Sequence, residues 1–304
     1  MIKISDIYKV YKNGTIANRN LSFNISSGEI LGIIGSNGAG KTTLVRQIVG
    51  LSRPTSGKIE IDDINFINRR KDYMHCIAFS NQNVVLLEAQ TAFEVVYFAG
   101  IFRGLNRKDS KHQTDELLEY FGINTERGKR LANLSGGQKK LVLLAAAFVG
   151  HCPIIVLDEP TNDLDPINRS RLWDIVRCYN DRLKVTFIIV SHNLSELENV
   201  ARKVIIMRGG SIVDQGDLQM LKGKYNSGYQ ISLKCKYEDL HKLLQNINFP
   251  YEIENQNEVI VRIEEDDLLH VSQNMLPMVQ KFGVELKIFR ASLMDIYQTI
   301  QEEK

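Results

Sequence analysis

The sequence predicts an α/β fold with a largely parallel sheet, followed by a small α+β domain. Three observations predict it. Short apolar stretches alternate with helical stretches over the first two thirds of the chain, and strands joined through helices run parallel because each helix carries the chain back across the sheet. A glycine-rich loop, Gly35–Thr43, follows one of those strands and opens a helix. After Gly216 the order of elements becomes β-α-β-β-α-β, the ferredoxin-like arrangement. The division that follows is residues 1–217 for the larger domain and 218–304 for the smaller.

Each element has its own warrant. Residues 1–35 read as β-rich: Ile2–Ile4, Leu21–Ile25 and Ile30–Ile34 are apolar or alternating, with turn residues at Lys12-Asn13-Gly14 and Ser26-Ser27-Gly28 between them. A helix over Lys41–Val49 ends at Gly50, a C-cap residue. Lys58–Ile61 is another strand, and Gln90–Lys140 is mostly helical, with Asp109 and Ser110 as caps before Gln113–Phe121. Ile154–Leu157 is wholly apolar, the pattern of a buried parallel strand. Helix Arg169–Tyr179, strand Val185–Val190, helix Ser195–Val200 and strand Lys203–Met207 complete the first domain. Lys222–Gly228 is polar and turn-rich, and marks the boundary region. Beyond it come strand Tyr229–Cys235, helix Tyr237–Ile247, strands Tyr251–Asn255 and Glu258–Ile263, helix Asp267–Phe282, strand Val284–Phe289 and helix Leu293–Glu302.

Composition narrows the function. The 304 residues are 43% hydrophobic and 24% charged, which excludes collagen-like, low-complexity and disordered classes. The net charge of +2 gives no overall bias toward nucleic acid, and the run Arg69-Arg70-Lys71 reads as a solvated turn. Four cysteines stand far apart without a CxxC pair, as in a reduced, cytosolic chain. The N-terminus carries no apolar signal segment. The longest apolar run, Leu141–Gly150, is about half of the roughly 20 residues a bilayer-spanning helix needs.

The chemistry is concentrated in two segments. Gly35, Gly40, Lys41 and Thr42 satisfy G-x-x-x-x-G-K-[ST] within Gly35–Ser36–Asn37–Gly38–Ala39–Gly40–Lys41–Thr42–Thr43. Glycines let the backbone turn its N–H groups toward phosphate oxygens, and the helix behind adds its positive end. Lys41 is a compact charge able to reach the β- and γ-phosphates, and the Thr42 hydroxyl can ligate Mg²⁺. The second segment, Ile154–Glu159, is a buried strand ending in two acids. Asp158 can hold Mg²⁺ directly or through water, and Glu159 can serve as general base toward an attacking water.

Between these segments lies Leu134-Ser135-Gly136-Gly137-Gln138, ahead of a helix expected over Lys139–Phe148. With it the chain resembles the ATP-binding cassette (ABC) ATPases over about residues 2–217. The resemblance implies a P-loop NTPase cassette with a RecA-like core, an antiparallel β subdomain and a helical subdomain. It implies ATP and Mg²⁺ as ligands and ATP hydrolysis as the activity. In its terms Ser135, Gly136 and Gly137 contact the γ-phosphate of an ATP held by a second subunit. Gln82 in AFSNQN matches the glutamine that senses Mg²⁺ and γ-phosphate and faces a transmembrane partner. His192 in IIVSHN matches the switch histidine, and Asp165 in NDLD the aspartate that communicates across the dimer, its plain alternative being a helix N-cap. Tyr11 resembles the aromatic that stacks on adenine. Lys140 stands where many members carry Arg, and Asp163 where Gly or Ala is common.

The resemblance also implies partners: a second ABC ATPase subunit, identical or different, and a separate transmembrane permease, with this chain held at the inner face of the cell membrane and no nucleic acid expected. The wording SNGAGKTT and the C-terminal segment resemble ABC-2 type exporters of drugs, peptides or lipids, in which a "sLxDxF"-like helix follows the cassette; Ser292–Tyr297 is similar. A soluble ABC protein, acting as a translation factor or an assembly scaffold, is the alternative. For the C-terminal domain, bracing of the dimer is preferred to ligand sensing, with Ile260, Leu268 and Leu269 read as core.

Overall fold

The computed structural model describes the chain apart from residues 63, 66–67, 82–87, 151, 226–228, 236–243, 245–248, 250, 264–266, 291 and 303–304. It divides into two compact units, Met1–Gly216 and Asp217–Lys304.

The first unit opens with an antiparallel sheet in the order β2-β1-β4-β5, made of β1 (Ile2–Val10), β2 (Ile16–Ile25), β4 (Ser56–Ile61) and β5 (Ile64–Asn65). Ile2, Ile4 and Ile7 are buried on β1 although strict alternation would turn Ile7 outward. A register shift between Ile4 and Ile7, with Asp6 at φ 50°, restores the inward face.

The six-stranded sheet positions the site. Its order is β10-β9-β3-β8-β7-β6, from β3 (Ile30–Gly35), β6 (Ile77–Ser80), β7 (Ile154–Asp158), β8 (Thr186–Val190), β9 (Lys203–Arg208) and β10 (Ser211–Asp217). The pairs β3–β8, β3–β9, β6–β7 and β7–β8 are all parallel. Every residue of β7 and β8 is buried, as covered parallel strands require. Because β8 lies between β3 and β7, the carboxyl ends of these three strands are neighbours, and segments remote in sequence meet there. Ligands of open α/β sheets bind at this edge.

Helices α1 (Lys41–Ile48), α2 (Arg70–His75), α6 (Pro166–Leu183) and α7 (Leu194–Val200) belong to the same unit. So does a helical group of α3 (Ala92–Phe102), α4 (Arg107–Tyr120) and α5 (Gly136–Phe148), which pack on one another. Several boundaries differ from expectation for local reasons. Helix α4 starts at Arg107 because Asn106 caps it, accepting from the Asp109 N–H at 2.9 Å; Asp109 is a first-turn acid and not the cap. Helix α5 starts at Gly136 and not Lys139, because Ser135 and Gln138 close a capping box. Of the run read as a turn, Arg70 and Lys71 open α2 and Arg69 is its N-cap residue, paired with Asp72 at 2.8 Å.

In the second unit, α8 (Leu218–Lys224) takes in Lys222, Gly223 and Lys224 of the stretch read as turns. Strands β11 (Tyr229–Lys234), β12 (Tyr251–Asn255), β13 (Glu258–Ile263) and β14 (Glu285–Arg290) pair antiparallel in the order β12-β13-β11-β14. In the unit's own count that is 2-3-1-4, the ferredoxin-like order; α9 (Leu268–Phe282) joins β13 to β14, and α10 (Leu293–Glu302) follows β14. The helix expected over Tyr237–Ile247 falls, save Leu244, outside the described residues. The core is Ile231, Leu233, Val259, Val261, Ile263, Val271 and Met275. Ile260 pairs with Ser232, on the face opposite Val259 and Val261, and is only half-buried. Leu269 is 73% exposed, so it is not core.

Candidate functional site

The phosphate loop has no room for side chains at two of its glycines. A Cβ on Gly40 would stand 2.2 Å from the Ala17 carbonyl oxygen, and φ there is 96°. A Cβ on Gly35 would stand 2.4 Å from that of Met207. As N-cap of α1, Gly40 offers no side chain to the first-turn N–H groups, which are left for an anion. The Lys41 ammonium donates to the carbonyls of Gly35 at 2.7 Å and Ser36 at 3.0 Å, folding back over the loop. Burial pulls its pKa below the usual lysine range, against the opposing pull of Glu159 and Asp158.

Asp158 ends β7 and is 1% exposed. Neither carboxylate oxygen has a hydrogen-bond partner. Burial, then the neighbouring Glu159, pushes its pKa up. A buried, unpaired carboxylate is costly unless a cation completes it. The hydroxyl-bearing Thr42 lines the same cleft, so the oxygen donors fit Mg²⁺, which takes few protein ligands and fills its shell with phosphate and water. Among the described residues no three His, Cys, Asp or Glu side chains gather for a metal that needs a protein cage.

Glu159 adopts φ 47°, a strained value for a non-glycine residue. Its N–H donates to the Val190 carbonyl at 2.9 Å, which ties the end of β7 to the end of β8. Its Oε2 is 2.7 Å from His192 Nδ1. The general-base candidate and the switch-histidine candidate are therefore joined, and both line a cleft of about 610 Å³ with Tyr11, Asn37–Thr43 and Asp158. Tyr11 has its hydroxyl 3.1 Å from Thr43 Oγ1 and its ring 5.4 Å from Lys9 Nζ.

Other sequence-predicted residues stand elsewhere. Gly35 and Ser36 contribute carbonyls to Lys41 and do not line the cleft. Ser135, Gly136 and Gly137 form the amino end of α5 outside it, and a Cβ on Gly137 would approach the Asp163 carbonyl oxygen at 2.8 Å. Asp165 caps α6, its Oδ1 accepting from the Asn168 N–H at 2.9 Å; that bond draws its pKa down. Gln82 lies outside the described residues. Sequence reasoning missed Thr15, Ile16, Ala17, Asn162 and Val190 as cleft residues, and only Asn162, the first residue of the NDLD wording, carried any signal. It also missed the place of Lys140, which is 3% exposed with Nζ 3.5 Å from the carbonyls of Asn81 and Asp158. Burial lowers its pKa.

This site, a phosphate loop faced by two acids and a histidine at the edge of a parallel sheet, is that of a nucleoside-triphosphate-binding protein of the P-loop class. Known proteins narrow the class. The family model described as ABC transporter matches residues 18–162. The chain is 32% identical over 222 residues to the methionine import ATP-binding protein MetN of Helicobacter hepaticus, a match covering 72% of this chain and 63% of that protein. It is 33% identical over 239 residues to the uncharacterized ABC transporter ATP-binding protein YxlF of Bacillus subtilis, covering 78% of each. The dimeric post-hydrolysis structure of the ATP-binding cassette MJ0796, bound to ADP and Pi, aligns with a TM-score of 0.67 and 26% identity, over 72% of this chain and 99% of that one. The chain belongs to the family of ABC transporter ATP-binding proteins. Its fold is that family's cassette, followed by the ferredoxin-like unit.

Proposed function

We propose that this chain is the ATP-hydrolysing subunit of an ABC transporter. It closes with a second cassette around two ATP molecules and drives a separate transmembrane permease from the inner face of the membrane. One observation carries the reading: Lys41, Asp158, Glu159 and His192 stand together at the ends of β3, β7 and β8, while Ser135–Gly137 lie outside their cleft. A second chain, offering its own Ser135–Gly137, supplies what each cleft lacks.

The residues divide the work. Lys41 exchanges the Gly35 and Ser36 carbonyls for phosphate oxygens. First-turn N–H groups of α1 and, from the partner, of α5 face the γ-phosphate. Thr42 and Asp158 would hold Mg²⁺, with Gln82 as a third candidate from the sequence, and the ion would supply charge neutralisation at the phosphates. Glu159 takes the proton of the attacking water, and the 2.7 Å contact from His192 keeps its carboxylate oriented. Tyr11 offers its ring to the base and Asp165 stands toward the partner chain. Phosphoryl transfer asks for positioning and charge stabilisation, so no covalent protein intermediate is needed.

Among the described residues no helix is long and apolar enough to cross a membrane. The permease reading has its own support. A groove of about 600 Å³ runs between α3, α5 and the end of β6, lined by Phe98, Phe102 and Leu143, with Asn81, the residue before Gln82, at its rim. Phe102 is 79% exposed. An amphipathic helix of the permease fits such a groove. Phe102→Asp should abolish recovery of a multi-spanning partner from gently solubilised membranes while ATP binding is unchanged; an undiminished partner would remove the groove from the account.

Export has narrow support. Ser292 and Asp295 of the exporter-like helix close a capping box, with Ser292 N–H to Asp295 Oδ2 at 2.6 Å, and Leu293 and Ile296 are buried. Helix capping and packing account for that likeness, and the similarity to a methionine import protein points the other way. The proposal is therefore ATP-driven transport, its direction to be read from substrate flux in vesicles.

A further inference from the structure

Helix α4 carries its charges against its own dipole. Its first two turns hold Arg107, Lys108 and Lys111, and its later turns hold Asp115, Glu116 and Glu119. A helix N-terminus is positive and favours acids, so cations there and acids at the far end both oppose the macrodipole. Lys111 stands at helical contact spacing from both Arg107 and Lys108, where like charges repel. The neighbouring acids are occupied. Asp109 accepts from Asn106 Nδ2 at 2.6 Å, Asp115 from Arg127 Nη2 at 2.7 Å, and Glu119 from Asn124 Nδ2 at 2.9 Å. The cations are not: Arg107, Lys108 and Lys111 are exposed, and among the described residues none of these three side chains has an ion-pair or hydrogen-bond partner.

The corner that displays them is firmly held and apolar at its tip. Ser110 is buried and its Oγ donates to the Tyr97 carbonyl at 2.6 Å, which fixes α4 on α3. Arg103 Nη1 donates to the Val149 carbonyl at 2.6 Å, which fixes the same corner on the end of α5. The exposed Phe102 ends α3 just before the corner and lines the groove described above. An exposed aromatic beside unpaired basic residues is the composition of a segment that lies on a bilayer surface. Charge selects the partner. Cytoplasmic loops of a permease carry an excess of Lys and Arg and would repel this patch, whereas the headgroups of the same leaflet are anionic and attract it.

We propose that the α3–α4 corner is a docking surface for an anionic lipid bilayer, with the basic end of α4 against the headgroups and its acidic end turned away. This rests on the permease reading above for its place at the membrane. The test floats the full chain, without permease, on vesicles of phosphatidylcholine alone or mixed with phosphatidylglycerol. Each cation near an anionic surface contributes about fivefold in affinity, so the wild type should bind the mixed vesicles about 100-fold better than the neutral ones. Raising the salt should erase that preference, and so should Arg107→Gln, Lys108→Gln and Lys111→Gln made together. The triple variant should melt no lower than the wild type, because it removes charges that oppose the dipole, and should keep the wild-type ATPase rate. It should also recover the permease as the wild type does, whereas Phe102→Asp should not, so failure of the patch and failure of the groove are told apart. Equal binding of the wild type to both vesicles, or a triple variant that still prefers the anionic ones, overturns the proposal. A variant that melts well below the wild type makes the three cations part of the fold's own stability and overturns it as well. A single-stranded oligonucleotide bound as tightly as the anionic vesicles, and lost in the variant, assigns the patch to nucleic acid and overturns it too.

Discussion

Lys41 holds two backbone carbonyls of its own loop. In the proposed function it is the charged donor that takes the phosphate. A charge-assisted contact contributes about 1.5–3 kcal/mol. Lys41→Ala should therefore weaken ATP binding about 10- to 100-fold, read by nucleotide titration; unchanged affinity would take Lys41 out of the site. Asp158 makes a complementary prediction. Its orphaned oxygens call for a cation, so Asp158→Asn should bind ATP yet lose the extra thermal stabilisation that Mg²⁺ brings to the ATP complex. Equal Mg²⁺ stabilisation in variant and wild type would contradict the metal role. Lys41 and Asp158 were legible in the sequence because each sits in a contiguous motif whose spacing carries its own geometry. Lys140 was not, because its meaning depends on the ends of β6 and β7, which only the folded sheet brings to it.

At the scale of elements, strands declared themselves better than helix starts. Ile154–Leu157 and Ile30–Ile34 are apolar runs that only a covered sheet accommodates, and both form buried parallel strands. Helices α4 and α5 began earlier than expected because one polar residue, Asn106 or Ser135, captures a backbone N–H three positions on. The strand β6 and the short helices α2 and α8 lacked a clear period and escaped notice. Ser135 serves both capping and, in the proposal, the partner's γ-phosphate, and the two roles can be separated. Asp caps as well as Ser, while loss of a cap costs about 1 kcal/mol. Ser135→Asp should melt close to the wild type and bind ATP, yet fail to form the ATP-bound dimer, because its carboxylate would face phosphate. A dimer as stable as the wild type's would leave Ser135 as a cap only.

The whole molecule has two compact units, and the cleft belongs entirely to the first. Its completeness is the central question. Ser135–Gly137 do not reach the cleft of their own chain, so the account requires a second copy or a related cassette, with ATP as the bridge between them. Removing the general base should hold that bridge in place, since base catalysis contributes about 10²–10⁴-fold. The direct measurement is the mass of Glu159→Gln by light scattering, with and without ATP. The account predicts a monomer without nucleotide, a stable dimer with ATP, and hydrolysis lowered at least about 100-fold. A variant that binds ATP and remains monomeric while hydrolysing at the wild-type rate would contradict it.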